Sequence, residues 1–294
     1  MTDLFPADAV LENLFTGATW GEGPVWLPAL RRLRWSDIPG NRILEYDDAS
    51  GTTHVLRTDA GFSNGRTLDR QGRVVQCSHG RRAIERESHD GPRTLVDRWE
   101  HGRFNSPNDV VVARDGTIWF TDPPYGIHES GREGYPGRPE YGGCFVFRFD
   151  EASGAAAPVI TDMVHPNGLA FSPDESVLYV ADTGYLQVPG GPAVIRAYDV
   201  VDGAHCTHGR DLVAVRPGGT DGMRVDAEGR IWSSSADSVQ VFTPAGERLA
   251  GLPVPEKVSN LCFGGDDGRT LYITASTSLY RIRTATTDAR YADR

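Results

Sequence analysis

Paired cysteines, basic runs, long apolar stretches and helical periodicity are all scarce in this chain. Its four cysteines, Cys77, Cys144, Cys206 and Cys262, lie far apart and form no Cys-x-x-Cys. Zinc-ribbon and thioredoxin-like readings fall away, and a reduced compartment is expected. Three of the four sit in or beside apolar runs and read as small buried hydrophobes. The net charge is −10, Arg far outnumbers Lys, and Arg31-Arg32 and Arg81-Arg82 are the only basic doublets. Phosphate binding needs a basic face, so a nucleic-acid partner is disfavoured. The opening Met1-Thr-Asp-Leu-Phe-Pro-Ala-Asp8 has neither a basic n-region nor an apolar h-region, and no stretch approaches a membrane span. A cytoplasmic protein with no membrane partner is the expectation. No sustained window carries apolar residues at i, i+3, i+4 and i+7, which argues against long helices.

What the chain does have is turns and short apolar runs. Of 294 residues, 34 are Gly and 19 Pro, with 39% hydrophobic and 24% charged, enough to bury a full core. Six times a small polar or acidic residue opens an apolar run: Glu22-Gly-Pro-Val-Trp26, Asn64-Gly-Arg-Thr-Leu68, Asn108-Asp-Val-Val-Val112, Asn167-Gly-Leu-Ala-Phe171, Asp221-Gly-Met-Arg-Val225 and Asn260-Leu-Cys-Phe263. Most lead to a turn and a second strand, as in Asp115-Gly116 before Thr117-Ile-Trp-Phe120. Third strands such as Ser238-Val-Gln-Val-Phe242 then run into further turns. The intervals between openings, 42, 44, 59, 54 and 39 residues, bracket the period of a propeller blade. The pattern predicts an all-β fold: one six-bladed β-propeller domain over 1–294, with four-stranded antiparallel blades around a central channel. A strand at about 10–17 should complete the last blade, and 284–294 should be a frayed polar tail. Two insertions, 123–143 and 183–192, follow second strands and can reach over one face.

Equivalent positions on the inner strands of a propeller form a ring about its axis. Glu22, Asn64, Asn108, Asn167, Asp221 and Asn260 therefore put two carboxylates and four amides near one depth. Repulsion between Glu22 and Asp221 would be costly without a cation. A donor set of oxygens, free of Cys and His, suits a hard divalent ion such as calcium, magnesium or manganese. Turn chemistry is the competing reading, because Asn-Gly and Asp-Gly are strong turn signals. Against it, Glu22-Gly-Pro and Asn108-Asp-Val hold the same phase without being hairpin dipeptides. Gly61-Phe-Ser-Asn-Gly65 matches a nucleophile elbow, but an inner strand and turn follow where that motif needs a helix. Among the histidines, His79 is a candidate for substrate contact or for a structural hydrogen bond. His165 is a weaker candidate, and His205-x-x-His208 sits in a polar turn. Tyr125 and Arg82 could close over a polyhydroxylated ligand, or serve turn packing and surface charge.

The chain resembles the gluconolactonase/regucalcin (senescence marker protein) family of metal-dependent lactonases, the bacterial gluconolactonases in particular. The residues that carry the likeness are Glu22-Gly-Pro-Val-Trp26, Trp35-Ser-Asp-Ile38, Cys77-Ser-His-Gly-Arg-Arg82, Asn105-Ser-Pro-Asn-Asp109, Ile118-Trp-Phe-Thr-Asp-Pro-Pro-Tyr-Gly126, His165-Pro-Asn-Gly-Leu-Ala-Phe-Ser-Pro-Asp174 and Asp221-Gly-Met-Arg-Val-Asp226. It runs from about Gly17 to Arg283. The resemblance implies Glu22, Asn167 and Asp221 as metal ligands, with Asn108 as a fourth polar contact. It leaves Ser63, Asn64 and Asn260 without assigned roles. It implies hydrolysis of a sugar lactone to the aldonic acid by a metal-activated water, with Asp221, or else Glu22, as the base. Asn105, Asn108, His79, Arg82 and Tyr125 are the candidate substrate contacts. Calcium is the first expectation for the metal; zinc, magnesium, manganese or iron suit the same oxygens. Other lactones, aryl esters or organophosphates are alternative substrates. A non-catalytic calcium-binding propeller is the alternative class, although a scaffold needs no convergent acids in its channel. A monomer or small homo-oligomer is expected.

Overall fold

Short strands rich in Val, Ile and aromatic residues are joined by turns that aspartates build. Asp47 Oδ1 accepts from Ala49 N and Ser50 N at 2.9 and 3.1 Å. Asp69, Asp115, Asp150 and Asp226 close other hairpins in the same manner, the side-chain turn that makes Asp a hairpin residue. The computed structural model, which describes residues 4–290, folds these hairpins into six four-stranded antiparallel sheets. They are the blades of a six-bladed β-propeller. The inner strands are Gly21–Leu27, Ser63–Leu68, Val110–Val112, Pro166–Phe171, Met223–Val225 and Val258–Gly264. Glu12–Thr16 pairs with Ser278–Arg283, so the sixth blade draws strands from both ends of the chain.

Blades stack face to face, so inner and second strands are buried on both sides and read as near-continuous apolar runs. Five hydrophobic clusters fill five of the six seams; Trp119, Leu169 and Leu178, for example, meet between blades three and four. The seam between blades one and two is polar instead. Arg66 is buried there, donating to Ser36 Oγ at 2.7 Å and Ser63 Oγ at 2.5 Å, while Arg34 joins Glu45 and Glu87.

The Asn-Gly and Asp-Gly dipeptides at the ring do not form hairpin turns. They lie at or beside the start of the inner strands, and the ladder slips register at Glu22/Val25, Ser63/Arg66 and Pro166/Leu169. The glycine is required because the next blade comes so close. A Cβ on Gly65 would stand 2.6 Å from Asn108 O, and one on Gly168 would stand 2.2 Å from Asp221 O. Gly65 N and Gly168 N donate to those same carbonyls at 2.8 and 3.1 Å. Glycine after one ring residue thus lets the following ring residue approach the axis.

At the far end of the channel Thr284–Arg290, expected to be frayed, is tied down. Thr284 N and Ala285 N donate to Arg269 O and Leu4 O, both at 2.8 Å, and Ala289 N donates to Val225 O at 2.9 Å. This segment caps a cavity of about 50 Å³ lined by Arg66, Val111, Phe171 and Arg224. The remainder of the expected tail, 291–294, lies outside the described residues. Among the described residues no helix is long and apolar enough to cross a membrane.

The close approach predicts that Gly65→Ala lowers stability by about 2–3 kcal/mol. Gly142→Ala, with nothing within 4 Å of its Cβ, should stay within about 0.5 kcal/mol of the parent. Urea unfolding midpoints of the two variants measure the difference.

Candidate active site

Five of the six ring residues, Glu22, Asn64, Asn108, Asn167 and Asn260, are buried, and Asp221 is partly open to solvent. Asn260 Nδ2 and Gly23 N both donate to Glu22 Oε2 at 3.0 Å. Asn167 hydrogen-bonds to Asp221 and donates to Thr183 Oγ1 at 3.3 Å. Thr183 Oγ1 lies 2.5 Å from the Tyr125 hydroxyl, so Tyr125 is linked to Asn167 through one threonine. The side-chain amide of Asn108, only 6% exposed, hydrogen-bonds to no described residue. Behind the ring, Asp109 is buried beside Asn260, 3.7 Å from the Arg224 guanidinium.

The electrostatics are unbalanced. Burial pushes the Glu22 carboxyl well above the usual carboxylate range, and the charge of Asp221 pushes it further. Burial carries Asp221 up to about 7; Lys257 opposes the rise, while Glu133 and Asp109 add to it. Among the described residues no three His, Cys, Asp or Glu side chains gather into a metal site. The donor set is instead two carboxylates with the amides of Asn167 and Asn108. Oxygen donors around excess negative charge fit a hard divalent cation. Glu22, Asn167 and Asp221 are the residues that could hold it.

Three carboxylates absent from the sequence-based list fix the ring. Asp37, at the end of the second strand Arg32–Asp37, accepts from Thr19 N and Trp20 N at 2.9 and 3.1 Å. Asp122, ending Ile118–Asp122, accepts from Asn105 N and Ser106 N at 2.7 and 2.8 Å. Asp182, ending Val177–Asp182, accepts from Val164 N and His165 N at 2.9 and 3.0 Å. In each blade the donors lie three and two residues before the ring residue: Glu22, Asn108 or Asn167. In the fifth blade Ser234 Oγ accepts from Asp221 N at 2.8 Å. The signal in the sequence is an Asp closing the second strand, in Trp35-Ser-Asp37, Phe120-Thr-Asp122 and Val180-Ala-Asp182.

The other candidates separate by position. Asn105 is fully buried and donates to Asp122 O and Gly143 O at 3.1 and 3.0 Å, tying the end of the inserted loop to its blade. His79 is also fully buried. Its Nε2 faces Asn64 Nδ2 at 3.1 Å and its Nδ1 faces Glu133 O at 3.0 Å. Donation from Nδ1 to the carbonyl and acceptance at Nε2 fit a neutral ring, in keeping with burial, which lowers its pKa to about 4. Arg82 is engaged away from the ring, donating to Phe104 O and to Glu140 Oε1 at 2.5 and 2.9 Å. His165 lies edge-on to Tyr125, and its buried Nδ1 has no hydrogen-bond partner among the described residues. A groove of about 540 Å³, lined by Leu27, Leu30, Leu68 and Arg70, opens on the opposite face and holds none of the ring residues.

Fold and ring together define a six-bladed propeller with an acidic, amide-lined site at one mouth of its channel. The SMP-30/Gluconolactonase/LRE-like family model matches residues 20–277, and the chain belongs to this family. It is 31% identical to the gluconolactonase of Zymomonas mobilis, over 94% of this chain and 82% of that protein. It is 31% identical to the pentonolactonase XacC of Haloferax volcanii, over 89% and 83% respectively. Among solved structures, a gluconolactonase from Xanthomonas campestris superposes with a TM-score of 0.87 at 42% identity, covering 95% of this chain and 90% of that one.

Asp182→Ala would leave Val164 N and His165 N without their acceptor, together with Gly184 N, which donates to Asp182 Oδ1 at 3.2 Å. Chemical denaturation should register a loss of about 3 kcal/mol.

Proposed function

We propose that this chain hydrolyses a sugar lactone to the aldonic acid, using a divalent ion held by Glu22, Asn167 and Asp221. The observation that carries the reading is the pairing of Glu22 and Asp221 at the channel mouth, each pushed up by burial, with Lys257 the one cation among the described residues that opposes the rise at Asp221. Membership of a family whose relatives include a gluconolactonase and a pentonolactonase supplies the substrate class. A divalent ion there supplies the positive charge that polarises an ester carbonyl and makes a water more acidic.

The chain's own residues do the rest. Asp221, partly open to solvent, takes the proton of the attacking water and returns it to the ring oxygen as the bond between that oxygen and the carbonyl carbon breaks. Glu22 is oriented by hydrogen bonds from Asn260 and Gly23 to its Oε2. The unpartnered amide of Asn108 donates to the lactone oxygen as negative charge develops on it. Tyr125 and Thr183 hold Asn167 from the side. Calcium is the first candidate for the ion, and zinc, magnesium, manganese or iron suit the same donors.

Chelation should abolish hydrolysis of glucono-1,5-lactone in a pH-stat assay, and one of these ions should restore it. With the ion bound, Asp221→Asn should lower kcat by about 10²-fold or more; a wild-type rate in that variant would exclude Asp221 as the base. Asp221 keeps its proton up to about pH 7 in the metal-free protein, so the ion must displace it below that pH. Calorimetric titrations should show metal affinity falling at least roughly tenfold per pH unit below 7, because Glu22, also raised well above its ordinary range, holds a second proton that the ion must displace. A flat profile contradicts the ligand assignment.

A further inference from the structure

The chain has a single lysine, Lys257. It lies just before the sixth inner strand, with its ammonium 5.3 Å from the centre of the Trp20 ring. Trp20 lies just before the first inner strand, so the pair spans the seam beside Glu22. A cation laid on an indole loses much of its rotamer freedom while keeping its three donors. Lys257 Nζ makes no hydrogen bond or ion pair with any described residue, and Asp221 feels its charge.

Glu133 is the complementary group. It comes from the insertion between the second and third strands of blade three. Its carboxylate also makes no hydrogen bond or ion pair with a described residue, although it feels the charges of Arg132, His128 and then Lys257, and its own charge acts on Asp221. Its backbone is held in place. The carbonyl accepts from His79, which is itself fixed by Asn64, and Tyr135, two residues on, lies edge-on to Phe62 at 5.3 Å. A Cβ on Gly134 would stand 2.0 Å from Gly126 O, so the insertion is folded tightly on itself.

An ammonium with three free donors and a carboxylate with free lone pairs therefore flank the mouth within each other's field, both on anchored segments. We propose that Lys257 and Glu133 form a donor–acceptor pair that binds ring hydroxyls of a neutral polyhydroxylated lactone, on the side away from its carbonyl. They determine specificity; the proposal rests on the lactonase reading above. A neutral substrate is favoured over an anionic one. A carboxylate or phosphate drawn to Lys257 would meet Glu133 as well as Asp221, whereas hydroxyls satisfy both members of the pair. Each hydroxyl donates to Glu133 or accepts from Lys257, and a lactone lacking hydroxyls leaves both groups desolvated and unpaired.

The test compares glucono-1,5-lactone with δ-valerolactone, the same ring without hydroxyls, on metal-loaded wild type, Lys257→Met and Glu133→Gln. The ratio of kcat/KM for the two substrates should fall roughly tenfold or more in each variant, mainly through KM for the hydroxylated lactone. Lys257→Arg should recover most of it. A ratio within about twofold of wild type in both variants overturns the pairing. A second arm, calorimetric binding of 1,5-anhydroglucitol, a ring polyol with no carbonyl, does not depend on turnover. If wild type hydrolyses neither lactone, the lactonase reading fails and this arm decides. Polyol affinity at least roughly tenfold weaker in the variants supports the pair. Equal affinity, or no binding by wild type, overturns it.

Discussion

The mutual repulsion of Glu22 and Asp221 at one end of a protein-lined channel is the constraint around which the rest is arranged. Burial raises both carboxyls, and the charge of Asp221 raises Glu22 further. The protein offers only partial relief: amide donors from Asn260 and Asn167, and a single ammonium at the rim. Arg224 is engaged behind the ring with Asp109. On the reading proposed above, a divalent ion at the mouth would resolve the imbalance and turn a destabilising pair into a binding site.

Holding such a pair against its own repulsion takes a rigid frame, and the sixfold repeat supplies it twice over. Glycine after a ring residue admits the neighbouring blade to contact distance, so the ring is tightened by backbone rather than by side chains. Asp37, Asp122 and Asp182 then pin the chain just ahead of Glu22, Asn108 and Asn167, each with two backbone donors. The far end is covered by Thr284–Arg290, on the side of the channel opposite the ring.

The blade count was legible because each unit repeats one polar opening and one Asp-built turn, and both are local in sequence. The ring was legible for the same reason: its phase is shared by Glu22-Gly-Pro and Asn108-Asp-Val, which are not turn dipeptides. The anchoring carboxylates stood in plain view in Trp35-Ser-Asp37 and its counterparts, but an Asp at a strand end looks like one more hairpin residue. Lys257 and Glu133 were hidden for a deeper reason. Their approach to the mouth depends on loop paths set by contacts such as His79 with Glu133 O, across 54 residues of chain. Arg82 was suggested by its neighbours in sequence, and its guanidinium is instead taken up by Phe104 O and Glu140.

Anomalous diffraction from crystals soaked in manganese locates an ion between Glu22, Asn167 and Asp221 without reference to turnover. One strong peak is expected at the channel mouth, about 2.0–2.5 Å from oxygens of Glu22, Asn167 and Asp221, and it should disappear in Glu22→Gln. A peak elsewhere, or none at the mouth in crystals of protein that still hydrolyses lactone, would contradict that placement.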